Sequence, residues 1–145
     1  MNSLNLNSSM TIAQEAFNKS RELNAAPLTV AVLDQGGRLI SLQRQDGSSM
    51  MRPDIAIAKA WGAVAMGKSS RSLASDAQQR PAFVSALNTL AQGNLIPVAG
   101  GVLIHDDNDA VIGAVGISGD TSDIDELCAI YGVEAAGLVA KAEVV

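Results

Sequence analysis

A chain of 145 residues has room for one domain at ~100–200 residues each, and none for separate cofactor and substrate domains. Hydrophobic residues make up 48% and aromatic ones only 3%, so the core must come from Ala, Val, Leu and Ile, and stacking platforms for single-stranded nucleic acid are lacking. The balance of 10 basic against 15 acidic residues gives a net charge of −5 with no cluster of Lys and Arg, which argues against a nucleic-acid partner.

One cysteine, Cys128, and one histidine, His105, exclude an intrachain disulfide and a zinc site built from several Cys and His ligands. A lone thiol suits a reducing compartment. No charged segment followed by an early apolar run marks a secretory signal, and no stretch approaches the ~18 apolar residues of a membrane span. A cytoplasmic protein without a membrane partner is therefore expected.

Residues 1–9, mostly Asn, Ser and Leu, read as a flexible N-terminal arm whose Leu4 and Leu6 could dock on a neighbour, and residues 10–145 read as a single domain. Thr11 with Gln14 three positions on matches a capping box, predicting a helix with Ala13, Ala16, Phe17 and Ser20 on one side, running to about Asn24. Residues 28–33 (LTVAVL) are near-continuously apolar and rich in β-branched side chains, as expected of a strand covered on both faces. Asp34-Gln35-Gly36-Gly37 supplies a tight turn into a more polar strand over residues 38–44, completing a hairpin.

Residues 53–66 (PDIAIAKAWGAVAM) predict a helix with Pro near its start. It is apolar all round, and a second subunit is the expected cover, making the protein a homo-oligomer. Residues 69–90 read as a surface excursion with a short helix from about Pro81. Residues 100–104 and 110–117 predict a second hairpin joined by the acidic turn His105-Asp106-Asp107-Asn108-Asp109. A closing helix follows from about Ser122, with Ile124, Leu127, Cys128, Tyr131, Ala135 and Leu138 expected on its buried face. Helix, hairpin, helices, hairpin, helix is the order of an α+β sandwich with an antiparallel sheet, not of a doubly wound parallel one.

Gly113, Gly116 and Gly119 are spaced by three, unlike a dinucleotide or P-loop fingerprint. Either they let a ligand approach the backbone, with the N–H groups before the last helix receiving an anion, or they permit close packing while Asp120 and Asp123 satisfy the helix start. Lys59, the lone cation on its apolar helix, either binds a carboxylate or pairs with an acid of the chain itself. Asp125 and Glu126 suit a helix start, where acids are favoured electrostatically. His105 reads as a histidine beside a solvated turn and Cys128 as a small core residue. The turn over residues 106–109 lacks an EF-hand's ligand spacing, and no nucleophile elbow or triad is present.

Taken in order, LTVAVLDQGGRLI, Arg44, Asp46 and Gly47, the helix IAIAKAWGA, Gly100-Gly101, and VIGAVGISGD followed by DIDE resemble the GlcG/HbpS-like family over about residues 10–142. The resemblance is nearest to its short stand-alone members from glycerol and diol fermentation gene clusters. It implies a profilin-like or PAS-like sandwich of about five antiparallel strands, assembly into homo-oligomers and, in some branches, binding of haem or a related tetrapyrrole. Matching positions are Asp34, Gly37, Arg44, Lys59, Gly100, Gly101, Gly113, Gly116, Ser118, Gly119 and Asp125. Two departures are Leu103, where many relatives have proline, and Asp107-Asn108-Asp109, where they have a glycine; nor does a histidine near the N-terminus offer an axial ligand.

The leading expectation is an accessory small-molecule-binding protein, with haem, another tetrapyrrole or a small carboxylate or diol as ligand. Its pocket would lie between the sheet, the Lys59 helix and the Gly119 loop, lined by Lys59, Gly100, Gly101, Gly116, Ser118, Gly119 and Asp125. The alternatives are an enzyme using Lys59 and Asp125 on a small oxygenated metabolite, and a ligand-free oligomeric scaffold.

Overall fold

The computed structural model describes residues 3–145. Ten elements follow in order: α1 (Leu6–Glu22), β1 (Thr29–Asp34), β2 (Leu39–Arg44), α2 (Arg52–Met66), α3 (Ser70–Gln79), α4 (Pro81–Leu90), β3 (Gly101–His105), β4 (Val111–Ser118), α5 (Ser122–Ala135) and β5 (Val139–Lys141). The strands form one sheet in the order β2-β1-β4-β3-β5, with every neighbouring pair antiparallel.

Strand alternation divides the core in two. Val30, Val32, Val102, Ile104, Val115 and Ile117 point to one face, where they pack against Ile12, Ala16 and Phe17 of α1 and Cys128, Ala129 and Val133 of α5. Leu33, Leu103 and Ala114 point to the other, beneath Ala60 and Ala63 of α2. Both faces of β1, β3 and β4 are therefore covered, which is why their sequences run apolar without alternation.

The α2 side is thin because its residues are small. A Cβ added at Gly116 would overlap the carbonyl oxygen of Ala56, and one at Gly101 would overlap that of Lys59. These glycines let a helix lie directly on strand backbone. The outer side of α2 is covered in part by the chain itself: Leu73 of α3, Val84 of α4 and Leu95 form a third cluster, and Leu95 meets Gly62. The cover that the sequence suggested for a second subunit is thus partly internal, leaving Ile55, Ile57, Trp61 and Val64 half-buried.

Four expectations are corrected. The first helix begins at Leu6, so residues 6–9 are not an arm: Asn5 caps it, accepting from Ser8 N while the Ser8 hydroxyl accepts from Asn5 N, whereas Thr11 lies inside the helix with its hydroxyl bonded to the carbonyl of Asn7. Met1 and Asn2, the first residues of the expected arm, fall outside the described residues. The supposed surface excursion holds a further helix, α3, whose inward residues Ser70 and Ser72 are too polar to show an apolar face. On α5 the buried face is Asp125, Cys128, Ala129, Gly132 and Val133, with Leu127 and Tyr131 44% and 41% exposed. Leu138 lies beyond that helix, before the unexpected edge strand β5.

Candidate functional site

The strand ends of β1 and β4 meet the start of α5 and the middle of α2 in a buried polar cluster. Lys59 reaches from α2 across the sheet end, its Nζ donating to the carbonyl of Ile117 at 2.9 Å and to Asp125 Oδ2 at 3.2 Å. Asp125 Oδ1 accepts from the backbone N–H of Asp120 at 2.9 Å, and its carboxylate also takes a backbone hydrogen bond from Gly119. Thr121 caps α5 by accepting from Ile124 N. Burial pushes the Lys59 ammonium below its ordinary range and the Asp125 carboxyl above its own, each against the pull of the other's charge.

The anion held by Lys59 at the start of α5 is therefore the chain's own Asp125, and Lys59 is 2% exposed. Gly100, with φ of +125°, lies against Lys59, where a Cβ would come 2.7 Å from Nζ. Gly101 and Gly116 lie under α2, and a Cβ at Gly119 would overlap the Pro27 carbonyl. The residues expected to line a pocket are brought together, but as helix-to-strand packing around an ion pair rather than as the walls of a cleft. Ser118 is buried as well, its Oγ accepting from Arg52 Nη1 at 3.0 Å.

Open space lies elsewhere. On the outer side of α2, Met51, Asp54, Ile55, Ile57 and Trp61 line a cleft of about 550 Å³ together with Gly37, Arg38, Asn94 and Ile96. This volume is in the range of small-molecule sites, and the lining is divided almost evenly between apolar and polar surface. Gly37, at φ +77° in the β1–β2 turn, leaves room for the indole: a Cβ there would meet Trp61 at 3.2 Å. Sequence reading placed Trp61 on an all-apolar helix and so missed this cleft, because which side stays open depends on where α3, α4 and Leu95 land. Arg52 was also missed, although a cation one residue before Pro53 with no acid at the third or fourth position after it is a legible sign of an unpaired charge.

Among the described residues, no cluster of three His, Cys, Asp or Glu side chains could hold a metal ion. His105 Nδ1 donates to Asp109 Oδ1 at 2.9 Å, and its Nε2 is enclosed without a partner among the described residues. Cys128 is buried, and burial pushes its thiol up to about 11. No helix among the described residues is long and apolar enough to cross a membrane.

Helices on both faces of a five-stranded antiparallel sheet, with an outer cleft along α2, define an α+β sandwich of the kind expected from the sequence. The chain belongs to the family described as "Haem degrading protein HbpS-like", which it matches over residues 4–134. It is 33% identical over 118 residues to an uncharacterized 15.0 kDa protein from the dhaT-dhaS intergenic region of Citrobacter freundii, covering 81% of each chain. Among solved structures it resembles a PduOC:heme complex, with TM-score 0.85 at 26% identity over 97% of this chain and 99% of that one. It likewise resembles the Klebsiella pneumoniae protein ORFY, with TM-score 0.84 at 28% identity over 94% and 92%.

Proposed function

We propose that this protein is an accessory small-molecule-binding protein whose ligand is haem or a related tetrapyrrole, held in the cleft along the outer side of α2. The carrying observation is the cleft itself: Ile55, Ile57, Trp61 and Ile96 offer apolar walls, and Arg38 offers a cation for a propionate. The likeness to a haem complex supports the ligand class. Histidine or thiolate ligation does not fit, because His105 Nε2 and Cys128 are enclosed. Met51, 55% exposed and lining the cleft, would offer a thioether to the iron. Lys59 and Asp125, bound to each other, support binding over catalysis by that pair. The half-buried Ile55, Ile57 and Trp61 support self-association as well, a second copy closing the cleft.

Haem titration tests this reading. A Soret band should form with one-site saturation and quench the fluorescence of Trp61, the chain's single tryptophan. Trp61→Ala and Met51→Ala should weaken binding, with native mass followed in parallel for assembly. Absence of a saturable Soret change removes haem as the ligand, and unchanged affinity in both variants removes the cleft.

A further inference from the structure

We propose a second ligand site in this protein, one for a small oxyanion, a carboxylate or a phosphate, built on Arg52 at the start of α2 with the hydroxyls of Ser118, Thr29 and Ser48. Thr29 and Ser118 are directly opposed partners of β1 and β4, so their side chains emerge side by side on the α2 face. Arg52 Nη1 donates to Ser118 Oγ at 3.0 Å, and Thr29 Oγ1 and Ser48 Oγ share a hydrogen bond at 2.9 Å. All three hydroxyl residues are buried, while Arg52 is partly exposed and Gly47, Ser49 and Met50 in the segment before it are exposed.

The hydrogen-bond inventory of this cluster is rich in donors and poor in acceptors. Among the described residues Ser118 accepts from Arg52 but donates to none, one hydroxyl hydrogen of the Thr29–Ser48 pair meets no acceptor, and the partly exposed Arg52 donates one side-chain N–H of its five. Buried donors of this kind are satisfied in nearly every folded protein. The charges point the same way. Among the described residues Arg52 makes no ion pair, and Asp125 already serves Lys59, so two cations face one carboxylate. Arg52 is close enough to contribute to the lowering of the Lys59 ammonium. Asp54 lines the outer cleft instead, and Asp120 is engaged by the N–H groups of Ala26 and Thr121. An oxyanion would supply the missing acceptors and the missing charge, and a guanidinium fork matches its geometry.

The site stands apart from the haem reading, because Met51 faces the outer cleft and Arg52 faces the sheet. Two-dimensional NMR of the full chain, titrated separately with sodium acetate and inorganic phosphate at constant ionic strength set by chloride, tests it. Saturable shifts are expected at Arg52 Nε–H and at the Ser118 and Gly119 amides, with affinity falling about tenfold or more in Arg52→Gln and in Ser118→Ala. Arg80→Gln, whose guanidinium lies over the ring of Phe83, should bind as the parent does. Saturation by acetate alone identifies a carboxylate site, by phosphate alone a phosphate site, and by both a site that reads charge and fork geometry. Shifts that chloride reproduces, or affinity unchanged in Arg52→Gln and in Arg52→Lys, overturn the proposal.

Discussion

Lys59 Nζ and Asp125 Oδ2 meet at 3.2 Å across 66 positions of sequence, with their side chains only 3% and 1% exposed. The pair ties the middle of α2 to the first turn of α5, elements on opposite faces of the sheet. Both charges are hydrogen-bonded to backbone as well, which is what makes burial of an ion pair tolerable.

Removing one partner should be far worse than removing both. Lys59→Met or Asp125→Asn alone should lose about 3–5 kcal/mol of stability in urea unfolding, since each leaves a buried charge without its partner. The double variant Lys59→Met/Asp125→Leu should lose much less than the sum. Additive losses would show that the pair is not coupled.

The glycines beneath α2 should be intolerant of a single methyl group. At Gly116 a Cβ would overlap the Ala56 carbonyl, and at Gly101 that of Lys59, both backbone atoms that no side-chain rotation can move. Gly116→Ala should destabilise by about 1–3 kcal/mol or more, whereas Gly93→Ala, with open space around it, should reflect only its positive φ. Equal melting temperatures for Gly116→Ala and the parent would remove the close approach as the reason for this residue.

Much of this arrangement was legible beforehand. The two hairpins followed from apolar runs bounded by Gly and Asp turns, and the all-apolar helix announced that α2 would be covered on several sides. Lys59 and Asp125 were both singled out, with pairing to an acid of the chain among the readings of Lys59. What sequence could not give was distance: the two residues are far apart in the chain, and only the return of β4 beside β1 brings them together. Nor could periodicity reveal α3, whose buried face holds one leucine, Leu73, beside Ser70 and Ser72, which bond across to Gly101 and to the C-terminal residues. The α5 face was misjudged because Gly132 and Asp125, poor markers of a core, point inward. Gly132 lies against the carbonyl of Ile12, and Asp125 is held by Lys59.

Cys128 should make stability fall in alkali. Burial raises its thiol from an ordinary 9.0 to about 11, so the folded state keeps a proton that the unfolded chain gives up. A raised folded-state value means the contribution is complete below pH 9 and is lost as pH rises toward about 11. The loss should approach about 3 kcal/mol and be missing in Cys128→Ala, as measured by urea unfolding across that range. The native thiol should also resist alkylation at neutral pH until the protein is unfolded.

The true start of α1 can be read from two substitutions. Asn5 and Ser8 form a reciprocal cap, each side chain accepting the other's backbone N–H, and they satisfy donors that the first helical turn leaves open. Thr11, six residues on, bonds back to the carbonyl of Asn7 inside the helix, a position where its hydroxyl satisfies no open donor. Asn5→Ala should therefore cost about 1 kcal/mol in chemical denaturation, and Thr11→Ala should stay within about 0.5 kcal/mol of the parent. Loss of the cap should also free Leu4, which packs toward Gly113 at the far end of the same core, so Asn5→Ala should raise amide exchange there. A larger cost at Thr11 than at Asn5 would return the helix start to Thr11 and leave the preceding residues outside the fold.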